Sequence, residues 1–247
     1  MGRGGTREHR AGVAGAVGGA DGCPGGWICI AKNLETGELS WNLYPDAQTL
    51  IEQTPTPLVL AIDIPIGLMD SGGRECDQMA RKLLRGRASC VFSAPIRPIL
   101  DAKSWDDASA LSRQINGKGI SKQTWAICTR IRDIDGVLRR DASLREFVRE
   151  VHPEVSFAEW NGGVPMPVRK QHADGKKLRS KLVDQYFGSD AFAMVRDHCP
   201  RKDAADDDIL DAFAALWSAE RIHRNEAMVV PSSPPSDSCR LPMAIWY

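Results

Sequence analysis

The residues whose types and spacing could do chemistry are acids: Asp21, Asp63, Glu154, Asp208 and Asp211. Asp21 closes the small-residue run AGVAGAVGGAD (11–21) and meets the turn GCPGG (22–26), where glycines let a backbone approach a ligand closely. Asp63 interrupts LVLAIDIPIGL (58–68), an otherwise apolar stretch in which an unpaired carboxylate is costly or loses its charge. Asp208 and Asp211 stand three apart in DDDILDAFAALW (206–217), which places both on one side of a helix. Bland roles exist for most of them. Asp21 could cap its turn, Asp63 could accept from the loop after Pro65, and Asp206 and Asp207 complement the helix dipole. Asp211 fits the dipole account less well, because it lies beyond the first turn, borders the apolar face and is followed by small alanines. Glu154 stands in VHPEVSF, where His152 is either a proton shuttle or a turn residue before Pro153. Hard carboxylate oxygens suit Mg2+ or Mn2+, and no Cys/His cluster argues for zinc.

The elements that must position these acids follow from pattern. The run 11–21 suits a buried strand, 27–33 a second strand, 35–38 a tight turn and 39–45 a third strand, giving an antiparallel meander. A short helix is expected at 46–53. Residues 58–68 read as a strand buried on both faces, parallel to the first and beside it. Helical patterns cover 74–85, 105–115, 121–140, 175–187 and 204–224, and a further strand is expected within 147–158. In the last helix Leu210, Phe213, Ala214 and Trp217 recur at i, i+3, i+4 and i+7, an apolar face for packing on the sheet. Strands first, then strands alternating with helices, predict an α/β protein with a mixed sheet. Small alanines in the last helix would let it approach that sheet and carry its acids to the strand ends.

Composition limits the alternatives. The 247 residues include 43% hydrophobic and 26% charged, the balance of a globular chain able to bury a core. Basic and acidic residues number 32 each, so global charge gives nucleic-acid binding no support and local patches must carry any such claim. Seven cysteines without a C-x-x-C pair fit reduced thiols and a cytoplasmic location. No apolar run has the length of a membrane helix. Residues 1–11, basic and without an apolar pattern, are expected to be a flexible leader. Residues 12–247 are expected to form one domain, with PSSPPSDS (231–238) as a loop before the apolar end LPMAIWY.

The segments GADGCPGGW, AIDIPIGL, RECDQMARKLLRGRASCVFSAPIRPIL, ISKQTWAICTRIRDID, EVHPEVSFAEWNGG and DDDILDAFAAL, in this order over about residues 14–224, resemble the predicted-nuclease family of ribonuclease H-like fold labelled domain of unknown function number 429. The spacing D-x-x-D-A-x-A in the last segment also resembles that of Holliday-junction resolvases of the same superfold. The resemblance implies a ribonuclease H-like mixed sheet with helices on both faces. It further implies carboxylates around one or two Mg2+ or Mn2+ ions that hydrolyse a phosphodiester, one ion activating water and the other stabilising the leaving oxygen. Carried over by position, Asp21 and Asp63 are the central ligands, Asp208 and Asp211 complete the site, and Glu154 matches the family's HPE. Ribonuclease H members also use a Glu on the first helix. Glu52 sits too late in its helix to take that role.

A substrate of this class needs positive charge beside the acids. Arg74, Arg81, Arg97 and Lys122 are the candidate phosphate contacts, drawn from a locally basic stretch at 74–97 and the start of the long helix. KKLRSK (176–181) reads as a solvated helix face. Aromatic residues make up 6%, which leaves no obvious platform for stacking single-stranded bases. A nucleic acid or another phosphodiester is the expected partner, and no membrane is. The competing function is a non-catalytic nucleic-acid-binding or regulatory module of the same fold. An actin-like ATPase is disfavoured by size and by the lack of a duplicated Gly-rich phosphate loop.

Overall fold

The structure is a computed structural model that describes residues 15–247. The expected leader, and the part of the first strand expected before residue 15, lie outside those residues. Strands β1 (Ala16–Cys23), β2 (Gly26–Asn33) and β3 (Leu39–Tyr44) form the antiparallel meander, and β4 (Val59–Ile62) and β5 (Val148–Glu150) extend it. The sheet order is β3-β2-β1-β4-β5. β1 pairs antiparallel with β2 and parallel with β4, and β4 pairs parallel with β5. The fold is therefore α/β with a mixed five-stranded sheet.

Period-2 alternation supplies a core on each face. Ile28 and Ile30 of β2 join Val17, Val59 and Ala61 under one group of helices: α5 (Pro153–Trp160), α6 (Ala173–Phe187), α7 (Ala191–Arg196) and α8 (Asp206–His223). Trp27 and Cys29 join Leu60 and Ile62 on the other face, under α1 (Ala47–Ile51), α3 (Trp105–Asn116) and α4 (Lys122–Arg140). Side-chain hydroxyls and carboxylates set where these helices start. Asp46 accepts from Thr49 N at 2.8 Å, Ser104 from Asp107 N at 3.1 Å and Ser121 from Thr124 N at 2.9 Å. Helix α2 (Glu75–Leu83) packs at one end with a short antiparallel pair, β6 (Val229–Val230) and β7 (Ile245–Trp246).

Helix α8 differs from the one-faced helix that its periodicity predicts. Every residue from Ile209 to Glu220 is buried, because the helix lies between the sheet and the outer helices. On its outer side Trp217 stacks on Trp160 with centroids 5.2 Å apart, and Phe213 meets Phe187 at 5.4 Å. On its inner side it touches the backbone of β1. A Cβ on Gly19 would lie 1.9 Å from Leu216 N and 2.4 Å from Ala212 O. Only a glycine opposite the helix backbone permits that approach.

One further expectation needs correction. β4 ends at Ile62 rather than 68, since Pro65 has no N–H for a ladder and Gly67 turns the chain at φ +72°. The strand expected within 147–158 is present as Val148–Glu150. Pro153, preset for the first helical position, then opens α5, so Glu154 sits in a helix's first turn. Helix α7 and the β6–β7 pair had no clear pattern in the sequence.

The contact at Gly19 generates a prediction. Gly19→Ala drives a methyl into helix backbone that cannot rotate away, and should cost more than about 3 kcal/mol in a denaturant melt. Gly136→Ala, in α4 with nothing within 4 Å of the new Cβ, should instead stabilise by about 0.5–1 kcal/mol.

Candidate functional site

The parallel register puts two acids side by side. Ala20 pairs with Ile62, and Asp63 N donates to Ala20 O at 3.0 Å, so Asp21 and Asp63 are the next residues on neighbouring strands. Alternation turns both toward α8, on the side of Val17, Val59 and Ala61. Helix α8, seated on Gly19 through Ala212 and Leu216, brings Asp211 down onto them. One carboxylate oxygen from each of Asp21, Asp63 and Asp211 lies within 4.8 Å of the others. Asp211 is 2% exposed and Asp21 9%.

Electrostatics at this cluster is unfavourable for three bare carboxylates. Burial, with help from Asp63 and Asp211, holds Asp21 well above the usual carboxylate range. Burial and then the Asp211 charge push Asp63 up to about 8. Asp211 is pushed up to about 6 by burial, against the pull of Lys170. Lys170 ion-pairs with Asp211 Oδ2, and that carboxylate raises the ammonium above its ordinary value. Asp211 Oδ1 is buried and has no hydrogen-bond partner among the described residues. An octahedral Mg2+ with bonds of about 2.1 Å holds opposed oxygens about 4.2 Å apart. The three carboxylates are close enough together to hold a single divalent ion, and their oxygens are of the hard kind that Mg2+ takes.

Asp208 is not in the cluster. Its Oδ2 accepts from Ala205 N at 2.8 Å and satisfies a free donor at the start of α8. Glu154 is held by Arg179 Nη2 at 2.7 and 2.9 Å, so it is a paired acid in the wall of the cavity beside the cluster. Arg179 belongs to the stretch that reads as a solvated helix face, yet it is fully buried. Gly175, one turn earlier, lets α6 close on Arg169 O and allows Arg179 to reach Gly175 O and Val168 O.

The cations expected to meet phosphate have other partners. Arg74 is buried between Glu150 (2.7 Å) and Asp77 (2.5 Å). Arg97 bridges Asp135 and Asp237, and Asp237 also accepts from Leu68 N at 2.9 Å, tying the C-terminal loop to the segment after Asp63. Arg81 holds Val91 O and Ser93 Oγ. Lys122 lies over the Trp105 ring and lines no part of the cavity. The cavity, about 390 Å3, is lined by the paired Arg74 and also by Lys170, Arg169, Arg130 and Arg87, the last of which ion-pairs with Glu154 at 3.7 Å, together with both carboxylates of the strand ends, Asp211 and His152. Burial keeps the His152 pKa low, and its Nδ1 has no partner among the described residues. Lys170 and Arg169 escaped the sequence reading, since VPMPVRKQHAD has no period and no motif to flag it.

Compared with models of protein families, residues 19–236 match the family described as "Protein of unknown function (DUF429)". No curated protein and no solved structure matches the chain. Among the described residues no helix is long and apolar enough to cross a membrane.

The cluster predicts a pH dependence. Between about pH 4 and pH 8 the folded chain keeps protons on Asp63 that the unfolded chain has released, so its contribution to stability is lost as pH rises. Glu150, pushed up to about 7 by burial, acts in the same direction, while neutral His152 opposes it at the acid end. Asp63→Asn isolates the effect. In excess chelator its melting temperature should exceed that of the parent by several degrees at about pH 8, with the gap closing as pH falls to about 4. A variant that melts lower at about pH 8 would make Asp63 a structural acceptor.

Proposed function

The chain belongs to the DUF429 family, and from that premise we propose that it is a metal-dependent phosphodiester hydrolase, a nuclease, of ribonuclease H-like fold. The observation that carries the reading is the convergence of Asp21, Asp63 and Asp211 at the ends of adjacent parallel strands, with one buried oxygen left without a partner. The sheet order and strand directions are those the ribonuclease H-like reading requires. Asp21, Asp63 and Asp211 would hold Mg2+ or Mn2+, which when bound polarises a phosphoryl oxygen and makes water a better nucleophile. Lys170, Arg169, Arg130 and Arg87 bring positive charge to a phosphate in the cavity. His152, neutral and with Nδ1 unengaged, accepts a proton there. Glu154, fixed by Arg179, orients the wall behind it, and Asp208 anchors the start of the helix that delivers Asp211.

One observation favours a non-catalytic nucleic-acid-binding module. The ammonium of Lys170 already satisfies Asp211, so the cluster is partly neutralised without a divalent ion. Incubation with labelled single-stranded, duplex and branched nucleic acids and a small phosphodiester in Mn2+ separates the two readings. The hydrolase reading predicts cleavage of at least one of them, reduced at least about a hundredfold in Asp63→Asn. Binding without cleavage, unaltered by Asp63→Asn, would establish the module instead.

A further inference from the structure

The cavity beside the acids adjoins a second one of about 760 Å3, and both are lined by Phe92, Ser93, Ala94 and Gln123 and by the buried Arg74–Asp77 pair. We propose that they form one groove for a single strand of nucleic acid several nucleotides long, with Phe92 as a stacking platform and Lys118 as a backbone contact. The proposal rests on the phosphodiester reading of the acid cluster and names its substrate class.

Size is the first argument. A pocket of about 300–1,000 Å3 holds one drug-sized ligand. Each cavity reaches that size alone, so the two in series suit a chain better than a single small ester.

The second argument is Phe92 itself. It is 46% exposed, while its neighbour Val91 is 4% exposed. The ring is displayed on a fixed backbone. Arg81 Nε holds Val91 O at 3.0 Å, Arg81 Nη2 holds Ser93 Oγ at 2.9 Å, and Ala94 N donates to Asp77 Oδ2 at 2.9 Å. An aromatic face presented in this way at the junction of two cavities is a platform for an unstacked base. The low aromatic content of the sequence argued against such a platform, but one ring at this position is enough.

Charge is the third argument. The second cavity is lined by Arg74, Arg81 and Lys118 against Asp77, and although Arg74 is shared between Asp77 and Glu150, Arg81 and Lys118 have no acid beside them in that lining. The lining is therefore positive and carries amides, Gln78, Asn116 and Gln123, for base edges. A duplex keeps its base faces stacked inside and gains nothing from Phe92.

Fluorescence anisotropy in excess chelator tests the groove without cleavage. A labelled single strand of about twelve nucleotides, DNA or RNA, should bind at least about tenfold tighter than a dinucleotide and tighter than a duplex of the same length. Phe92→Ala should weaken it about tenfold, and Lys118→Glu should weaken it and flatten its salt dependence. Both positions are at the surface, and thermal melts verify that the variants fold. Binding that ignores Phe92→Ala, shows no length dependence, or prefers the duplex would overturn the groove. The rise in melting temperature on adding Mn2+ reads the acid cluster separately. Phe92-dependent strand binding without that rise keeps the groove and removes the metal site. A Mn2+-induced rise with Phe92-indifferent binding does the reverse.

Discussion

The structure depends on one contact, the backbone of α8 lying against Gly19 of β1. Helix and strand approach there more closely than any side chain would permit. The approach fixes the axial and rotational setting of α8, and with it the position of Asp211 over the ends of β1 and β4. The alanines at 212, 214 and 215 keep the helix thin along that line, and Trp217 and Phe213 lock its outer side against Trp160 and Phe187. Packing and chemistry are thus the same event. The residues that let the helix settle also bring a third carboxylate to two that the sheet has already paired.

Such a cluster runs against the stability of the fold. Burial disfavours the charged form of each acid, and the acids repel one another. Lys170 offsets part of this, yet it engages one oxygen of Asp211 and leaves the other bare. Elsewhere buried charges sit opposite a charge of the other sign, although Arg179 Nε and Glu220 Oε2, like Asp211 Oδ1, are left without a hydrogen-bond partner among the described residues. Arg74 is matched by Glu150 and Asp77, and Arg179 by Glu154. At Asp21, Asp63 and Asp211, by contrast, three carboxylates converge on the single ammonium of Lys170, and that excess of negative charge marks the place where a cation from outside has most to contribute.

Much of this was legible in the sequence, for local reasons. Turn chemistry at GCPGG and ETGE announces the meander, and an acid inside LVLAIDIPIGL stands out because its surroundings are apolar. Asp211 stood out for a similar reason, as an acid bordering an apolar helix face. What was not legible depends on contacts between distant segments. Arg74 and Arg97 read as phosphate contacts, but Glu150 and Asp237, far along the chain, claim them. Arg179 sits in a charged run that looks solvated, and only Gly175 and the 168–169 loop bury it. Lys170 lies in a loop without period. Asp208 shares the spacing of Asp211, but a backbone N–H at the helix start engages it. Periodicity reports which face of an element is apolar, and it is silent on which charge will meet which.

The central claim is that Asp21, Asp63 and Asp211 form one site for a divalent cation. Calorimetric titration of Mn2+ into the chain at about pH 8, where the acids are most readily ionised, tests it most directly. The account predicts saturable binding by the parent chain and none by Asp63→Asn or Asp211→Asn. Equal binding by all of them, or no binding by the parent, would contradict it.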